Sequence, residues 1–338
     1  MVSSVTPKKD KNYDYLIDSV GVLLNKARTK AYLQINQVLT KVYWEIGKEI
    51  VVFEQRGKIK AEYGSKLLDR LSIDLKLRYG KGFSKSNIVY MRLFYLKYPT
   101  SETLSHQLSW SHYFELLKIE NDLERSFYEK QCITESWAVR ELKRQKNSAL
   151  FERLALSKDK KGVQALAQKG QVVEKAGDLV KDPYILEFLG IPETYHYSEK
   201  ELEQKVIDNL QKFLLELGKG FAFIARQFRI TLGNRHYYVD LVFYHRILRC
   251  FVLIDLKIGE VTHADVGQMN MYLNYFKNEE MTEGDNEPIG IILTKEKEEI
   301  VVKYALGSIS NKLFVSKYKL YLPDKKELGE RVRKILKE

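Results

Sequence analysis

Two aspartates, fifteen positions apart, lie inside runs of aromatic and β-branched residues. Asp240 lies in Tyr237–Tyr244, and Asp255 lies in Phe251–Lys257. Such runs are typical of β-strands, where a charged side chain costs free energy unless a partner compensates it. Two carboxylates at these positions would concentrate negative charge in the sheet. A bound divalent cation is the partner that carboxylate oxygens most readily accept, so a metal site is the first function to consider.

The spacing also predicts how the two aspartates meet. If the runs pair as an antiparallel hairpin with Tyr244 opposite Phe251, Asp240 lies opposite Asp255, with Cβ atoms about 5 Å apart. Two carboxylates this close repel each other, and a divalent cation removes the repulsion. Strand alternation returns Lys257 to the face of Asp255, where its ammonium can contact a phosphate or an attacking water. By themselves, these three residues favour a partly exposed ion-pair cluster, because so short a motif often matches by chance.

Glu203 is the third acidic candidate. Ser198 and Glu201 have the spacing of a capping box, which predicts the start of a helix. Apolar residues then recur at helical spacing, and Glu203 lies four positions before Ile207, on the inward side of this stripe. A glutamate that faces the core needs a partner, and a metal ion shared with the two aspartates would supply one. The alternative is a glutamate at the edge of the stripe that reaches solvent.

Gln268 and Tyr272 form the polar candidate pair. Thr262 and Asp265 have the spacing of a second capping box, so a helix is predicted to begin there. Gln268 and Tyr272 are four positions apart and share one face of that helix. They could orient a water molecule or contact a nucleic-acid backbone, while the alternative is ordinary polarity on a helix surface.

In this chain order, the candidates resemble the motifs of the PD-(D/E)XK nuclease superfamily. The pair Gln268 and Tyr272 is similar to the QxxxY element of its RecB-like branch. Further segments resemble the YhcG group of nucleases: Leu108–Tyr113, Ser126–Glu129, Pro288–Leu293, Val302–Leu306 and Phe314–Leu320. The resemblance covers nearly the whole chain, with one departure, since Val239 stands where the motif has proline.

The resemblance implies an enzyme that hydrolyses phosphodiester bonds in nucleic acid with Mg²⁺ or Mn²⁺, and it favours DNA as the substrate. The implied catalytic residues are Asp240, Asp255, Lys257, Glu203, Gln268 and Tyr272. The implied metal ligands are Asp240, Asp255, Glu203 and the backbone carbonyl of Leu256. Lys257 would position the water or stabilise the transition state. The alternative hypothesis is a DNA-binding protein whose nuclease-like domain is catalytically inactive.

The expected fold class is α+β with two domains, a helical N-terminal domain followed by an α/β nuclease domain with a mixed sheet flanked by helices. The expected boundaries are 12–156 for the helical domain, 157–181 for a linker, 182–325 for the nuclease domain and 326–338 for a C-terminal tail helix. The nuclease domain is predicted to contain, in order, helix Ser198–Leu217, strands Phe223–Leu232, Arg235–Tyr244 and Cys250–Lys257, helix Thr262–Phe276, strand Ile289–Thr294, helix Glu298–Leu306 and strand Leu313–Leu320.

The first domain has the outline of a helix-turn-helix unit. Two helical segments are expected between Asn12 and Gln55, followed by helices over Ser65–Leu77 and Ser84–Tyr98 that a glycine turn joins. The candidate nucleic-acid-binding residues, here and on a later helix, are Lys81, Lys85, Asn87, Arg92, Arg140, Lys143 and Arg144. The alternative is a solvated basic face on a helical bundle.

Bulk composition agrees with a nucleic-acid partner. The 338 residues carry a formal net charge of +11, which suits a polyanion but does not require one. The sequence lacks a zinc-type Cys/His cluster, a phosphate-binding glycine loop and an apolar run of membrane-spanning length, so no membrane partner is expected. Cys132 and Cys250 are the only cysteines, and a cytoplasmic location without disulfides is expected. The oligomeric state is open, with a homo-oligomer as one alternative.

Overall fold

The computed structural model describes residues 11–56, 61–156, 158–181, 183–192, 196–296 and 312–337. The chain divides into two compact units between Leu142 and Lys143. The predicted helix Glu298–Leu306 lies outside the described residues. Within the described ranges, no helix combines the length and the apolar character needed to cross a membrane.

The first unit is helical. Its helices are α1 (Lys11–Arg56), α2 (Ala61–Tyr79), α3 (Lys85–Lys97), α4 (Trp110–Leu116), α5 (Asp122–Thr134) and the start of α6 (Val139–Asn147). Helix α1 is continuous, where two segments were expected, because no proline interrupts it. Gly47 allows α1 to approach α3, since a Cβ at this position would lie 2.0 Å from the carbonyl oxygen of Met91.

The turn between α2 and α3 has the expected helix-turn-helix outline. Gly80 and Gly82 adopt positive φ angles of 82° and 118°, which glycine tolerates without strain. Ser84 caps α3 by accepting a hydrogen bond from the backbone N–H of Asn87 at 3.2 Å. The Ser72 hydroxyl donates to the carbonyl of Phe83 at 2.8 Å and so attaches the turn to α2.

The second unit contains a mixed sheet with helices on both faces, which confirms the expected fold class. Its strands are β1 (Tyr184–Ile185), β2 (Phe221–Leu232), β3 (Arg235–His245), β4 (Cys250–Glu260), β5 (Ile289–Glu296) and β6 (Leu313–Lys319). Among the described residues the strand order is β1-β6-β5-β4-β3-β2. The β2–β3 and β3–β4 pairs are antiparallel, while β4–β5, β5–β6 and β1–β6 are parallel.

Helices α9 (Glu199–Asp208), α10 (Leu210–Leu217) and α11 (His263–Tyr275) pack on the two faces of this sheet. The unit also contains the end of α6, α7 (Leu150–Ala155), α8 (Lys160–Lys169) and α12 (Lys325–Lys337). One apolar layer joins Leu202 and Val206 of α9 to Ile254 of β4, and the other joins Met269 of α11 to Leu253. Successive β4 side chains therefore enter opposite layers, as strand alternation requires.

The predicted helix Ser198–Leu217 is interrupted at Asn209. This residue leaves helical geometry, with φ −116° and ψ 27°, and its side-chain amide donates to the carbonyl of Lys205 at 3.1 Å. Asparagine offers the backbone this local alternative to a helical bond, which explains the break between α9 and α10.

The stretch 157–181, predicted as a linker from its composition, contains α8. Asp159 caps this helix through the N–H of Gly162 at 2.8 Å, and Val163 and Leu166 are buried. The position of the domain boundaries stays a prediction, and the compact units divide earlier in the chain, after Leu142.

A buried ionic network braces the second unit. Glu216 of α10 is fully buried and lies 2.9 Å from Arg153 and 3.1 Å from Arg144. Its Oε1 also accepts a hydrogen bond from the N–H of Ile185 at 3.0 Å. Burial alone would raise the pKa of Glu216, but Arg153, Lys181 and Arg144 outweigh it and lower that pKa to about 2.

Candidate active site

Asp240 and Asp255 meet where the β3–β4 ladder ends. Tyr244 pairs with Phe251 as predicted, and the recorded pairing runs on to Leu241 and Ile254, one step before the aspartates. Beyond that pair, hydrogen bonds from backbone N–H groups to the two aspartate side chains take the place of the backbone-to-backbone hydrogen bonds between the strands. The N–H of Leu256 donates to Asp240 Oδ2 at 2.8 Å, and the N–H of Asp240 donates to Asp255 Oδ1 at 3.4 Å.

Burial and nearby negative charge raise the pKa of both carboxylic acids in the folded chain. Asp255 is 5% exposed, and burial followed by the nearby charge of Asp240 raises its pKa to about 7. Burial also raises the pKa of Asp240, while the hydrogen bond from Leu256 opposes the shift. Neutralising this pair therefore requires a proton or a cation.

Glu203 joins the site through Gln227. Glu203 is 4% exposed, as its inward position on the helix predicted. The side-chain amide of Gln227 donates to Glu203 Oε2 at 2.7 Å and to Asp240 Oδ1 at 3.0 Å. Gln227 lies on β2, between the flanking pairs Arg226–Leu241 and Phe228–Val239, and its φ is +47°. A positive φ is strained for a residue with a side chain, so the surrounding structure holds Gln227 in place.

The second oxygen of Glu203 is less well satisfied. Arg226 Nε lies 3.2 Å from Glu203 Oε1, close enough for an ion pair. This buried oxygen nevertheless accepts no hydrogen bond from the described residues. An anionic oxygen in this state has capacity for a further positive partner.

Lys257 lies between two carboxylates. Its Nζ is 3.2 Å from Asp265 Oδ1 and 3.7 Å from Glu199 Oε2. Burial acts against the charged form, but the charges of Glu199 and Asp265 outweigh it and raise the pKa of Lys257. Lys257 therefore remains an ammonium that Asp265, at the start of α11, orients.

Gln268 and Tyr272 of α11 bond to each other and to β3. The amide of Gln268 donates to the hydroxyl of the buried Tyr272. That hydroxyl in turn donates to the carbonyl of Tyr238 at 2.9 Å. Because Tyr238 is two residues from Asp240 on the same strand, these contacts fix the segment that carries the first aspartate.

The donor set suits a divalent cation, although its members are not gathered into one cage. The described residues include no group of three or more His, Cys, Asp or Glu side chains placed to hold a metal ion. Gln227 explains this, because its amide lies between Glu203 and Asp240. Two paired aspartates and an under-satisfied glutamate oxygen are nevertheless the hard oxygen ligands that Mg²⁺ and Mn²⁺ accept.

Comparison with known proteins identifies the family. Residues 177–333 match the family model of the YhcG PDDEXK nuclease domain, and residues 19–153 match that of the DUF1016 N-terminal domain. A relative in Escherichia coli (strain K12), named "Putative nuclease YhcG", is 37% identical over 372 residues, covering 100% of this chain and 99% of the relative. This chain belongs to the YhcG family. The resemblance inferred from the sequence motifs is confirmed.

Solved structures show weaker similarity to this YhcG-family chain. A repair endonuclease from Pyrococcus abyssi is 22% identical, with 39% of this chain and 50% of that chain covered and a TM-score of 0.26. The EndoMS–dsDNA complex is 17% identical, with 40% and 50% covered and a TM-score of 0.27. The matches thus span about half the length of those chains.

The candidate nucleic-acid residues of the α2–α3 region differ in how they are held. Lys81 is exposed in the turn. Lys85 pairs with Asp69 at 2.7 Å, and the side-chain amide of Asn87 donates to the carbonyl of Gly82 at 2.7 Å. Arg92 contacts both carboxylate oxygens of Glu54, at 2.7 and 3.0 Å. Lys81 is thus available for a ligand, while the contacts of Asn87 and Arg92 also stabilise the fold.

The basic residues of α6 also differ from one another. Arg140 and Lys143 are exposed. Arg144 is only 15% exposed and lies 3.1 Å from Glu216 and 3.4 Å from Glu187. In this YhcG-family chain, Arg144 belongs to the buried ionic network described above.

Gln227 was missing from the residues expected at the site. Gly233 and Asn234 form a tight turn between β2 and β3, and Leu232 pairs with Arg235. Counting back along both strands from this turn places Gln227 opposite Asp240. The strand register in the sequence was therefore enough to predict that Gln227 lies at the site. Asp265 was identified only as a helix cap, and its second contact, with Lys257, depends on tertiary structure.

Proposed function

We propose that this protein is a Mg²⁺- or Mn²⁺-dependent nuclease that hydrolyses phosphodiester bonds, with DNA as the favoured substrate. The observation that carries the proposal is the pair of half-buried Asp240 and buried Asp255, with Lys257 following on the strand of Asp255. Membership of the YhcG family and the match to a PDDEXK nuclease domain support it.

In this proposal Asp240, Asp255 and the backbone carbonyl of Leu256 hold the metal ion, and Glu203 completes the site. A bound divalent ion lowers the pKa of a water molecule and neutralises charge on the scissile phosphate. The carboxylates are held for this task by the N–H groups of Leu256 and Asp240 and by the Gln227 amide.

Lys257 supplies positive charge beside the reacting phosphate. Asp265 and Glu199 keep its ammonium protonated and oriented, so it can stabilise negative charge that develops on phosphate oxygens. Gln268 and Tyr272 act as positioning residues in this scheme, because they fix β3 next to Asp240.

Substrate binding is assigned to the basic candidates on α2–α3 and α6. Lys81, Arg140 and Lys143 are exposed, and they would contact phosphates. Lys85, Asn87, Arg92 and Arg144 remain part of the proposed interface, although each also has a partner within the protein.

The test is a cleavage panel with single- and double-stranded DNA and RNA in Mg²⁺, Mn²⁺ or EDTA. We expect cleavage that requires the metal and that Asp255→Asn or Lys257→Ala lowers at least 100-fold. Asp208→Asn and Lys212→Ala are matched controls, because both side chains are exposed on α9 and α10, and these variants should cleave normally.

The outcomes separate the proposal from its rival. Salt-dependent binding to DNA without metal-dependent cleavage would show a binding protein with an inactive nuclease-like domain. Cleavage that survives Asp255→Asn would show that the chemistry takes place elsewhere.

A further inference from the structure

Helix α1 carries an apolar stripe that the described part of its unit leaves in solvent. The stripe comprises Leu16, Val20, Leu24, Ile35, Val38 and Val42, which recur at helical spacing on one face. Their exposed fractions range from 39% for Val42 to 61% for Val38. Isolated exposed apolar residues are ordinary on a protein surface, but a continuous row of them marks an interaction surface.

The rest of α1 shows that the stripe is not the face that packs within the unit. Thr40, Trp44 and Val51 are buried and lie on another face of the helix. Before Thr40, none of the described α1 side chains is buried. Helices in proteins gain most of their stability from packing one face, so this half of α1 lacks its expected source of stability.

The stripe continues into an apolar groove between α1 and α2. The groove has a volume of about 600 Å³. Val42, Ile46 and Phe53 line it from α1, and Leu71, Leu75 and Tyr79 line it from α2. Such a groove suits the apolar face of an amphipathic helix.

Charges along α1 indicate which helix fits. Arg28 and Lys30 lie beside the stripe in the first half of α1, and Glu45 and Glu49 lie beside the groove in the second half. Val38 is midway, to within one residue, between Arg28 and Glu49 and also between Lys30 and Glu45. Two antiparallel copies of α1 centred there would bring each basic residue to an acidic one.

The side of the helix on which each charge lies agrees with this pairing. At about 100° per residue, Arg28 and Glu49 lie to one side of Val38, and Lys30 and Glu45 lie to the other. A two-fold axis perpendicular to both helices brings equivalent sides together, so both pairs satisfy it.

We propose that two copies of this chain form an antiparallel dimer through α1. The first half of each α1 lies in the α1–α2 groove of the other copy, and the two-fold axis passes next to Val38. The contact is isologous, with Arg28 facing Glu49 and Lys30 facing Glu45 across it.

The area is sufficient for a dimer. With the two-fold axis next to Val38, the two copies of α1 overlap from Val20 to Arg56, about 54 Å, and a helix is about 10 Å wide, so each copy offers about 540 Å². Two copies together bury about 1,100 Å², above the threshold of about 1,000 Å² for specific interfaces. The α2 side of the groove adds to this area.

The first test measures the mass of the full chain by light scattering over a concentration series. We expect twice the chain mass of 39.6 kDa for the wild type. Val38→Glu should weaken dimerisation at least 100-fold, and since Val38 is already exposed in one copy, the variant should keep its fold, as circular dichroism would verify. Leu33→Glu is the matched control, because Leu33 is exposed on α1 outside the stripe, and this variant should remain dimeric.

The second test uses charge reversal. Arg28→Glu with Lys30→Glu forms one variant, and Glu45→Lys with Glu49→Lys forms the other. Each alone should dimerise at least 10-fold more weakly than the wild type, because like charges then face each other. Mixing the two should restore dimers, because every pair in the heterodimer is complementary again.

Three results would overturn the proposal. They are a wild type that stays a monomer at every concentration, a dimer that Val38→Glu leaves intact, and charge-reversed variants that associate no better when mixed. If Val38→Glu instead abolishes nucleic-acid binding by a monomeric wild type, the stripe serves nucleic acid and the proposal is wrong.

Discussion

Asp255 combines burial with a neighbouring aspartate, and this makes the metal-free protein sensitive to pH. The folded chain binds the proton of Asp255 more tightly than the unfolded chain does, since its pKa is about 7 against an ordinary 3.8. The stabilising effect of that proton is complete below the ordinary value and is lost as the pH rises towards about 7.

We therefore predict that, in EDTA, the free energy of unfolding decreases between about pH 4 and about pH 7, and that Asp255→Asn removes most of this decrease. Urea denaturation at several pH values measures it. Adding Mg²⁺ at about pH 8 should stabilise the wild type and leave Asp255→Asn unchanged, because the ligands must be deprotonated to bind metal. An Asn variant that Mg²⁺ stabilises equally would place the metal elsewhere.

Gln227 donates hydrogen bonds to two carboxylates while its backbone adopts a positive φ, which is strained for a residue with a side chain. Gln227→Ala removes the hydrogen bonds to Glu203 and Asp240, and we expect it to destabilise the metal-free protein by about 2–4 kcal/mol. Gln227→Gly also loses the amide but relaxes the positive φ, so it should be more stable than the Ala variant by about 1 kcal/mol. Equal stability of the Ala and Gly variants in urea denaturation would show that φ at this position carries no strain.

At the scale of elements, the buried ionic network fixes α10 against α7 and β1. Arg153 and Glu216 are 1% and 0% exposed, so removal of Arg153 takes away the more deeply buried of the two arginines that pair with Glu216. We predict that Arg153→Met destabilises the protein by about 3–5 kcal/mol, whereas Arg153→Met with Glu216→Leu recovers much of that loss. Thermal or urea unfolding of the single and double variants decides this, and a double variant no better than the single would contradict it.

The same network adds an acid-sensitive contribution to stability. The pKa of Glu216 is lowered from 4.5 to about 2, so its contribution is present above the ordinary value and is lost as the pH falls towards about 2.

The strands were more predictable from the sequence than the helices. The β3–β4 register follows from residue type and alternation, and the structure has Tyr244 opposite Phe251 as predicted. By contrast, the break at Asn209 and helix α8 depend on single side-chain bonds that apolar periodicity does not detect. Periodicity identifies which face of an element is buried, while caps and local side-chain bonds decide where it ends.

The site was predictable where the sequence pattern is local. Asp255 and Lys257 lie on one strand, so alternation alone relates them. Arg144 was indistinguishable in sequence from Arg140, since both lie on one helix face, and only the tertiary contact with Glu216 distinguishes them. Tyr272 shows the same limit, because its partner, the carbonyl of Tyr238, is 34 residues away in sequence.

At the scale of the whole molecule, basic charge is distributed over both units. The affinity for a polyanion should therefore depend strongly on the salt concentration. Each lysine or arginine that neutralises a phosphate releases counterions, so the logarithm of the binding constant falls linearly with the logarithm of salt concentration. With a net charge of +11, we expect tight binding to duplex DNA at low salt and a steep decline as salt is raised.

Individual basic residues should differ in this experiment according to their partners. Lys81 and Arg140 are exposed. Lys81→Ala and Arg140→Ala should each reduce by about 1 the slope of the logarithm of the binding constant against the logarithm of salt concentration. Both variants should leave the melting temperature unchanged. Arg92→Ala should instead lower the melting temperature, because it leaves the half-buried Glu54 without its partner. Fluorescence anisotropy across a salt series, with a melting curve for each variant, measures both effects. If Lys81→Ala and Arg140→Ala both leave the slope unchanged, these residues lie outside the interface and the basic charge there serves solubility alone.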